Sequence, residues 1–366
     1  MRLLKLVAHD FRNLAHVEFE PGPRFTVLEG DNGQGKTALL EAVYVLASLK
    51  SFRAQRTDEL IRHGTEEASL FGVVEATDLQ RQVELTLGPR GRRIRIDGKA
   101  ARSLADSLGQ LTVVLFAPED LAITKAGPGN RRRFIDRATF NRFPRSLEAT
   151  RRYETALEHR NRLLREGGAN ALLDAFDEQL SLAAASVLAG RLETMAELQP
   201  AFSSAVDEIT GAAHTATVAY APSTPSTLEE LRAHFAAKRP EDRRRGTTTT
   251  GPHVDDLEVT LDGHPARTTA SQGQHRMLVL ALKVAEIRTL TAATGHSPLL
   301  LLDDVSSELD ARRNEDLMRF LGGPAFGGKV IITTTDRRHI QVEGDVRTLR
   351  VVRGALLPFA TPSATP

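Results

Sequence analysis

Gly30-Asp31-Asn32-Gly33-Gln34-Gly35-Lys36-Thr37, the stretch GDNGQGKT, decides how this chain is read. It has the spacing G-x-x-x-x-G-K-[ST], follows the extended segment RFTVLEG and opens the helix-periodic run TALLEAVYVLASL. That context separates a phosphate-binding loop from an ordinary Gly-rich turn. Glycines 30, 33 and 35 let the backbone wrap an anion without Cβ clashes. Loop N–H groups and the helix N-terminus then face a phosphate. In such a loop Lys36 reaches the β- and γ-phosphates and the Thr37 hydroxyl ligates Mg²⁺, so ATP and Mg²⁺ are the expected cofactors.

Outward from the loop, RLLKLVAH and HVEFEPG read as strands before it. FGVVEAT, RQVELTLG and RRIRIDG follow as an antiparallel meander, punctuated at Gly88-Pro89 and Asp97-Gly98. TVVLFAP (112–118) is a buried strand. From Gly127 to Arg245 the chain becomes charged and helix-periodic, and Gly167-Gly168 splits two long helices into an antiparallel arm. TATVAYAP is a short β piece within this region. β character returns after Gly246 in GPHVDDLEVTLDG; a long helix from Ser271 and the strands 299–302 and 330–335 close the pattern. The Pro/Ala/Ser/Thr-rich tail is expected to be disordered. The expected layout is an α/β head in two parts, 1–126 and 246–358, interrupted by a helical insertion at 127–245 and ending in a tail at 359–366.

With 366 residues the chain accommodates two or three packed subdomains. It has no cysteine, which excludes disulfides, zinc fingers and thiol catalysis. Nothing approaches the roughly 20 apolar residues of a membrane span, and MRLLKLVAHDF lacks a signal-peptide layout, so a cytoplasmic protein without a membrane partner is expected. The 48 basic and 47 acidic residues leave a net charge of +1, so DNA affinity would have to come from local arginine clusters. Arg131-Arg132-Arg133 and Arg243-Arg244-Arg245 are such runs.

LLLLDDVSSELD (299–310) is a buried strand ending in two carboxylates. Beside a phosphate loop, Asp303 is placed to join the Mg²⁺ shell, and Asp304 to orient or deprotonate the attacking water. SQGQHR (271–276) opens the long helix, with Ser271 as its cap and Gly273 permitting close approach. That order, about 30 residues before the acidic strand, resembles the ABC-type ATPases. Their signature helix touches the γ-phosphate of ATP held by the partner subunit. The resemblance implies that Ser271, Gly273 and Gln274 complete the other protomer's site, and that SSELD is a D-loop ending at Asp310. A homodimer with two sandwiched ATP molecules follows.

FRNL, GDNGQGKTALLEAVYVLA, SFR (51–53), LFAPEDL (115–121), GNRRRFID (129–136), GPHVDDL (251–257), SQGQHR and LLLDDVSSELD together resemble the RecF recombination-repair family, over about residues 1–353. GPH-x-DDL is the most discriminating. The resemblance implies an ABC-type ATPase head with a mixed sheet, an antiparallel β subdomain and an inserted α-helical arm. It also implies a gap-repair protein acting with RecO and RecR to help load RecA, and places Arg12 and Asn13 at the nucleotide. Three departures from transporter heads stand out. Asp304 replaces the usual glutamate, and one methylene of misplacement predicts slow hydrolysis. The Q-loop glutamine is absent, with Glu119 nearest its place. No switch histidine is obvious after VIITTT, where Thr335 and Asp336 fall near its place and His339 lies further on.

Aromatic residues make up 5% of the chain and tryptophan is absent, so base stacking is poorly supplied. Phosphate contact by arginine, salt-dependent and indifferent to sequence, is the expected DNA mode. The candidates are Arg131, Arg132, Arg133, Arg137, Arg151 and Arg152, with 160, 162 and 165 further along the arm. A transporter ATPase subunit is the rival reading, but it leaves GPHVDDL and the charged arm unused. A chromosome-organising SMC head would need a far longer coiled coil, since about 40 helical residues span only ~60 Å.

Overall fold

The structure, a computed structural model, describes residues 1–76, 79–89, 91–101, 103, 110–304, 311–323, 326–342 and 344–358. They form two compact units: Met1–Asp120 with the segment from Leu290 onward, and Leu121–Thr289.

In the first unit, one sheet is an antiparallel meander. Strands β1 (Arg2–Phe11), β2 (Leu14–Phe19), β4 (Ala68–Ala76), β5 (Leu79–Gly88), β6 (Gly91–Ile96) and β7 (Lys99–Ala100) run in the order β2-β1-β4-β5-β6-β7. In β1 the buried side chains fall at Leu3, Leu6, Ala8 and Phe11, out of strict alternation. A register shift between Leu3 and Lys5 resets the phase, as one bulged residue must where the side-chain period is two.

The second sheet combines β3 (Phe25–Glu29), β8 (Val113–Phe116), β12 (Leu299–Leu302), β13 (Val330–Thr334), β14 (Val346–Val352) and β15 (Ala355–Pro358) in the order β15-β14-β3-β13-β12-β8. All neighbours are parallel except the β14–β15 hairpin. Parallel strands covered on both faces read as unbroken apolar runs, and LLLL, VVLF and VIITT are buried throughout. The phosphate loop leaves the carboxyl end of β3 and Asp303 leaves that of β12. Because β13 lies between them, its last residues reach the same edge.

The second unit carries the helices Pro128–Arg142, Ser146–Glu166, Asn170–Thr210 and Leu228–Arg245, and most of Gln272–Thr294. Gly167 takes φ 69 and the Gly168 N–H reaches Leu163 O (2.9 Å), the αL closure that ends a helix and lets the next fold back. Tyr153, Ala156, Leu180, Ala184 and Leu188 fill the seam with Leu231 and Phe235. The chain returns to the first unit at Leu290 and not at Gly246. The reason is β pairing: β10 (Asp256–Leu261) aligns residue for residue with β9 (Ala216–Ala221), with β11 (His264–Pro265) beyond it. Segment 246–289 therefore folds with the helical region, a correction to the expected boundary.

Candidate functional site

The loop 30–37 wraps over the first turn of helix Lys36–Ser48. Gly33 (φ 79) and Gly35 (φ 110) occupy backbone space that disfavours L side chains, and a Cβ on Gly30 would stand 2.5 Å from Val351 O. Gly35 caps the helix without a side-chain bond and its first turn has no acid, so the helix N–H groups keep their preference for an external anion. Lys36 is buried, its Nζ donating to the carbonyls of Gly30 (2.5 Å) and Asp31 (2.9 Å). Burial lowers its pKa, opposed by the carboxylates of Asp304, Asp303 and Asp31.

At the strand ends, one oxygen of Asp303 accepts two hydroxyls: Thr37 Oγ1 (2.9 Å) and Thr333 Oγ1 (2.8 Å). Asp303 is 6% exposed, and burial holds its carboxyl above the usual range against those two bonds. The next residue, Asp304, turns into the left-handed region (φ 49), and its N–H donates to Thr333 Oγ1 (2.9 Å). Above these groups opens a cavity of about 730 Å³. Its lining holds Asn13, Asn32, Gly33, Gly35, Lys36, Thr37, Asp303 and Asp304, which the sequence had singled out. A buried carboxylate beside a hydroxyl, a lysine and free helix N–H groups suits a cation-bound polyphosphate.

Two loop members serve as braces. Asn13 Nδ2 donates to Gly33 O (3.3 Å). Gln34 Oε1 accepts from Arg353 N (2.7 Å) while Gln34 O accepts from Gly354 N (2.8 Å), tying the loop to the β14–β15 turn. Arg12 lines the cavity with its guanidinium already committed: Nε and Nη2 to the buried Glu41 carboxylate (2.8 and 2.9 Å), Nη1 to Glu59 O (2.7 Å). Glu59, Ile61 and Thr333 belong to the cavity unannounced by any motif, and Glu41 and Arg53 lie inside quoted motifs without having been singled out. The signal for Thr333 was a hydroxyl at the point where the buried apolar run 330–332 gives way to threonines.

Glu119, expected at the nucleotide, is exposed in the 3₁₀ turn Pro118–Leu121 and is not among the lining residues. The inward acid of that turn is Asp120, which accepts from Ala117 N (2.9 Å). Asp310 and the rest of 305–310 lie outside the described residues.

In the second unit, Ser271 and Gln274 form a reciprocal capping box: Gln274 N donates to Ser271 Oγ (3.3 Å) and Ser271 N to Gln274 Oε1 (2.8 Å). Gly273 lies in that first turn, and Ser271 is exposed. Two arginines proposed for DNA are structural instead. Arg131 is 5% exposed and grips the Asp256 carboxylate at 2.6 and 2.9 Å. Arg160 is fully buried between Asp177 (2.6 Å) and Asp242 (2.7 Å). Charge periodicity could not reveal that these positions face inward. Arg132 is half-buried and donates to Asp255 O (2.8 Å), and Arg137 is half-buried beside Glu286 (4.0 Å). Arg133, Arg151 and Arg152 are exposed.

GPHVDDL also builds structure. His253 Nε2 donates to Thr248 O (3.0 Å), and in the neutral ring Nδ1 accepts the Tyr153 hydroxyl (2.6 Å). Burial lowers the His253 pKa in the same direction. Asp255, buried, accepts from Ser223 N (2.7 Å), Ser223 Oγ (2.8 Å), Arg191 Nη1 (3.3 Å) and the Tyr220 hydroxyl.

The family described as RecF/RecN/SMC N terminal domain matches residues 2–354. The chain is 46% identical over 348 residues to the DNA replication and repair protein RecF of Myxococcus xanthus (strain DK1622), covering 92% of this chain and 91% of that one. It is 47% identical over 350 residues to the RecF protein of Anaeromyxobacter sp. (strain Fw109-5), covering 93% and 94%. This chain belongs to the RecF family. Among solved structures, the recombination mediator protein RecF-ATPrS in the RecFOR pathway superposes with TM-score 0.89 at 30% identity, over 98% of both chains. The RecF-ATP structure of that pathway gives 0.88 at 30% identity, over 98% and 97%. An SMC head bound to the C-winged helix domain of ScpA (TM-score 0.57, 15% identity, 100% and 99% covered) shares the fold alone. RecF membership gives the head its type, an ABC-type ATPase fold, and leaves the transporter reading without support. Among the described residues no helix is long and apolar enough to cross a membrane.

Proposed function

We propose that this RecF-family chain is an ATP-switched DNA-binding protein of recombinational repair in the cytoplasm. ATP closes two copies into a homodimer on DNA at gaps or single-strand/double-strand junctions. Slow, DNA-stimulated hydrolysis releases them, and RecO- and RecR-like partners use the bound state to help load RecA. The observation that carries this reading is the Thr37–Asp303–Thr333–Asp304 cluster beneath the phosphate loop.

Lys36 leaves the Gly30 and Asp31 carbonyls for the phosphates, a trade of neutral acceptors for charged ones. Thr37 and Asp303 would hold Mg²⁺, which when bound would neutralise phosphate charge. Asp304 accepts a proton from the attacking water. Ser271, Gly273 and Gln274 serve the partner's nucleotide, and Asp310 joins that interface by family resemblance. Arg133, Arg151 and Arg152, exposed on the helical unit, meet DNA phosphates.

The test is DNA binding by fluorescence anisotropy with ATP, with ADP and without nucleotide, with oligomer size followed by light scattering. The expectation is dimers and tight binding with ATP alone, weakening steeply as salt rises. Equal affinity in all three states would refute the switch.

A further inference from the structure

We propose that Thr333 is the positioning residue of the hydrolytic centre, its hydroxyl locking Asp303 and Asp304 into one rigid pair. This rests on the reading of those carboxylates as the acidic pair of an ATP site. β13 lies between the strand that delivers the phosphate loop and the strand that delivers the acids, and Ile332 pairs with Leu302. One step further along each strand, Thr333 therefore stands level with Asp303. The position is fully buried and directly follows the run Val330-Ile331-Ile332, where an apolar side chain would pack at no polar cost. A hydroxyl there is tolerated only when its bonding capacity is used.

Here it is used in both directions. The O–H donates to Asp303 Oδ1 (2.8 Å) and the oxygen accepts from Asp304 N (2.9 Å). The donated bond joins that from Thr37 on the same carboxylate oxygen, so two hydroxyls fix the rotation of Asp303. The accepted bond holds the backbone of Asp304 at φ 49, a conformation that non-glycine residues visit rarely and keep only when their surroundings impose it. One side chain thus sets the group that faces the cation and the turn that aims the group facing the water. Both of its bonds go to the acidic pair, so it acts through them, which makes it a positioning residue.

Thr333→Val keeps shape and removes the hydroxyl, while Thr333→Ser keeps the hydroxyl and removes a methyl. Displacement of a catalytic group by about 1 Å costs on the order of 10²-fold. T333V should therefore lower kcat for ATP by about 10- to 100-fold with KM within about threefold, and T333S should stay within about threefold of wild type in both. Two readouts are independent of turnover. Amide exchange of the peptide containing Asp304 should accelerate in nucleotide-free T333V but not in T333S. Binding of a fluorescent ATP analogue should require more Mg²⁺ in T333V. If T333V fails to fold, Thr333→Cys, of similar size and a weak hydrogen-bonder, carries the same expectation. An active wild type with equally active T333V, or T333S impaired as far as T333V, overturns the role of Thr333. A wild type that neither binds nor hydrolyses ATP overturns instead the functional reading beneath it.

Discussion

Burial raises the Asp303 pKa above the usual carboxylate range, while the Thr333 and Thr37 hydroxyls and Arg53 pull it down. A raised folded-state pKa contributes stability that is complete below the unfolded value and is lost as pH rises through the folded one. Once ionised, Asp303 is therefore a destabilising charge in the nucleotide-free protein, which a cation can compensate. Asp303→Asn, still able to accept both hydroxyls, should leave the apo Tm unchanged or raised and abolish the rise in Tm caused by Mg-ATP. Differential scanning fluorimetry at pH 7.5 checks both halves, and a lower apo Tm would contradict the argument. Asp304→Asn separates binding from chemistry. ATP affinity and the dimer should persist while kcat falls by about 10²- to 10⁴-fold, the usual worth of a general base. Retained turnover in a filter-based phosphate assay would move the base elsewhere. That Lys36, Thr37, Asp303 and Asp304 gather at one cavity was legible in the sequence, because contiguous spacing places each at a strand end or helix start. The inward roles of Arg131 and Arg160 were not, since an arginine reads the same in sequence whether its guanidinium meets water or an aspartate.

Strands and turns impose a different logic. Gly354 (φ 79) closes the β14–β15 hairpin, and a Cβ there would lie 2.5 Å from Asn13 O. Its N–H and that of Arg353 both end on Gln34, so the turn braces the phosphate loop. Gly98 (φ 75) has the same backbone need with open space around it. Gly98→Ala should cost about 1 to 2 kcal/mol of stability, the left-handed penalty alone, with ATP affinity unchanged. Gly354→Ala adds a backbone collision and should cost more, weakening ATP binding by about tenfold although residue 354 touches no nucleotide. Urea unfolding beside nucleotide titration distinguishes the two, and equal ATP affinities would show that the turn does not brace the loop. The strands themselves were readable as apolar runs, and the meander as alternation. Sheet order was not, because whether β13 lies beside β3 depends on long-range pairing that no local pattern encodes. Hence Thr333 went unnoticed, and the return to the first unit was placed at Gly246, where β character resumes, although β10 pairs back to β9.

For the whole molecule, the question is whether one chain's ATP site is finished by another. Lys36 lies in the first unit and Ser271 in the second. If the site is completed in trans, a Lys36→Met chain still offers a sound signature, and a Ser271→Arg chain still offers a sound phosphate loop. Neither alone should form an ATP-dependent dimer or hydrolyse ATP. In an equal mixture, random pairing makes half of the dimers mixed, and two-fold symmetry gives each mixed dimer one intact and one doubly broken site. The mixture should therefore recover up to about a quarter of wild-type activity, and less if one nucleotide closes the dimer weakly. Completion within a single chain predicts no recovery at any mixing ratio, since every chain then carries its own defect. Titrating one variant into the other at fixed total protein, with ATPase and anisotropy on labelled DNA read together, decides between them. Activity that peaks near equal proportions and brings DNA binding with it supports the trans-completed dimer, and a flat baseline excludes it.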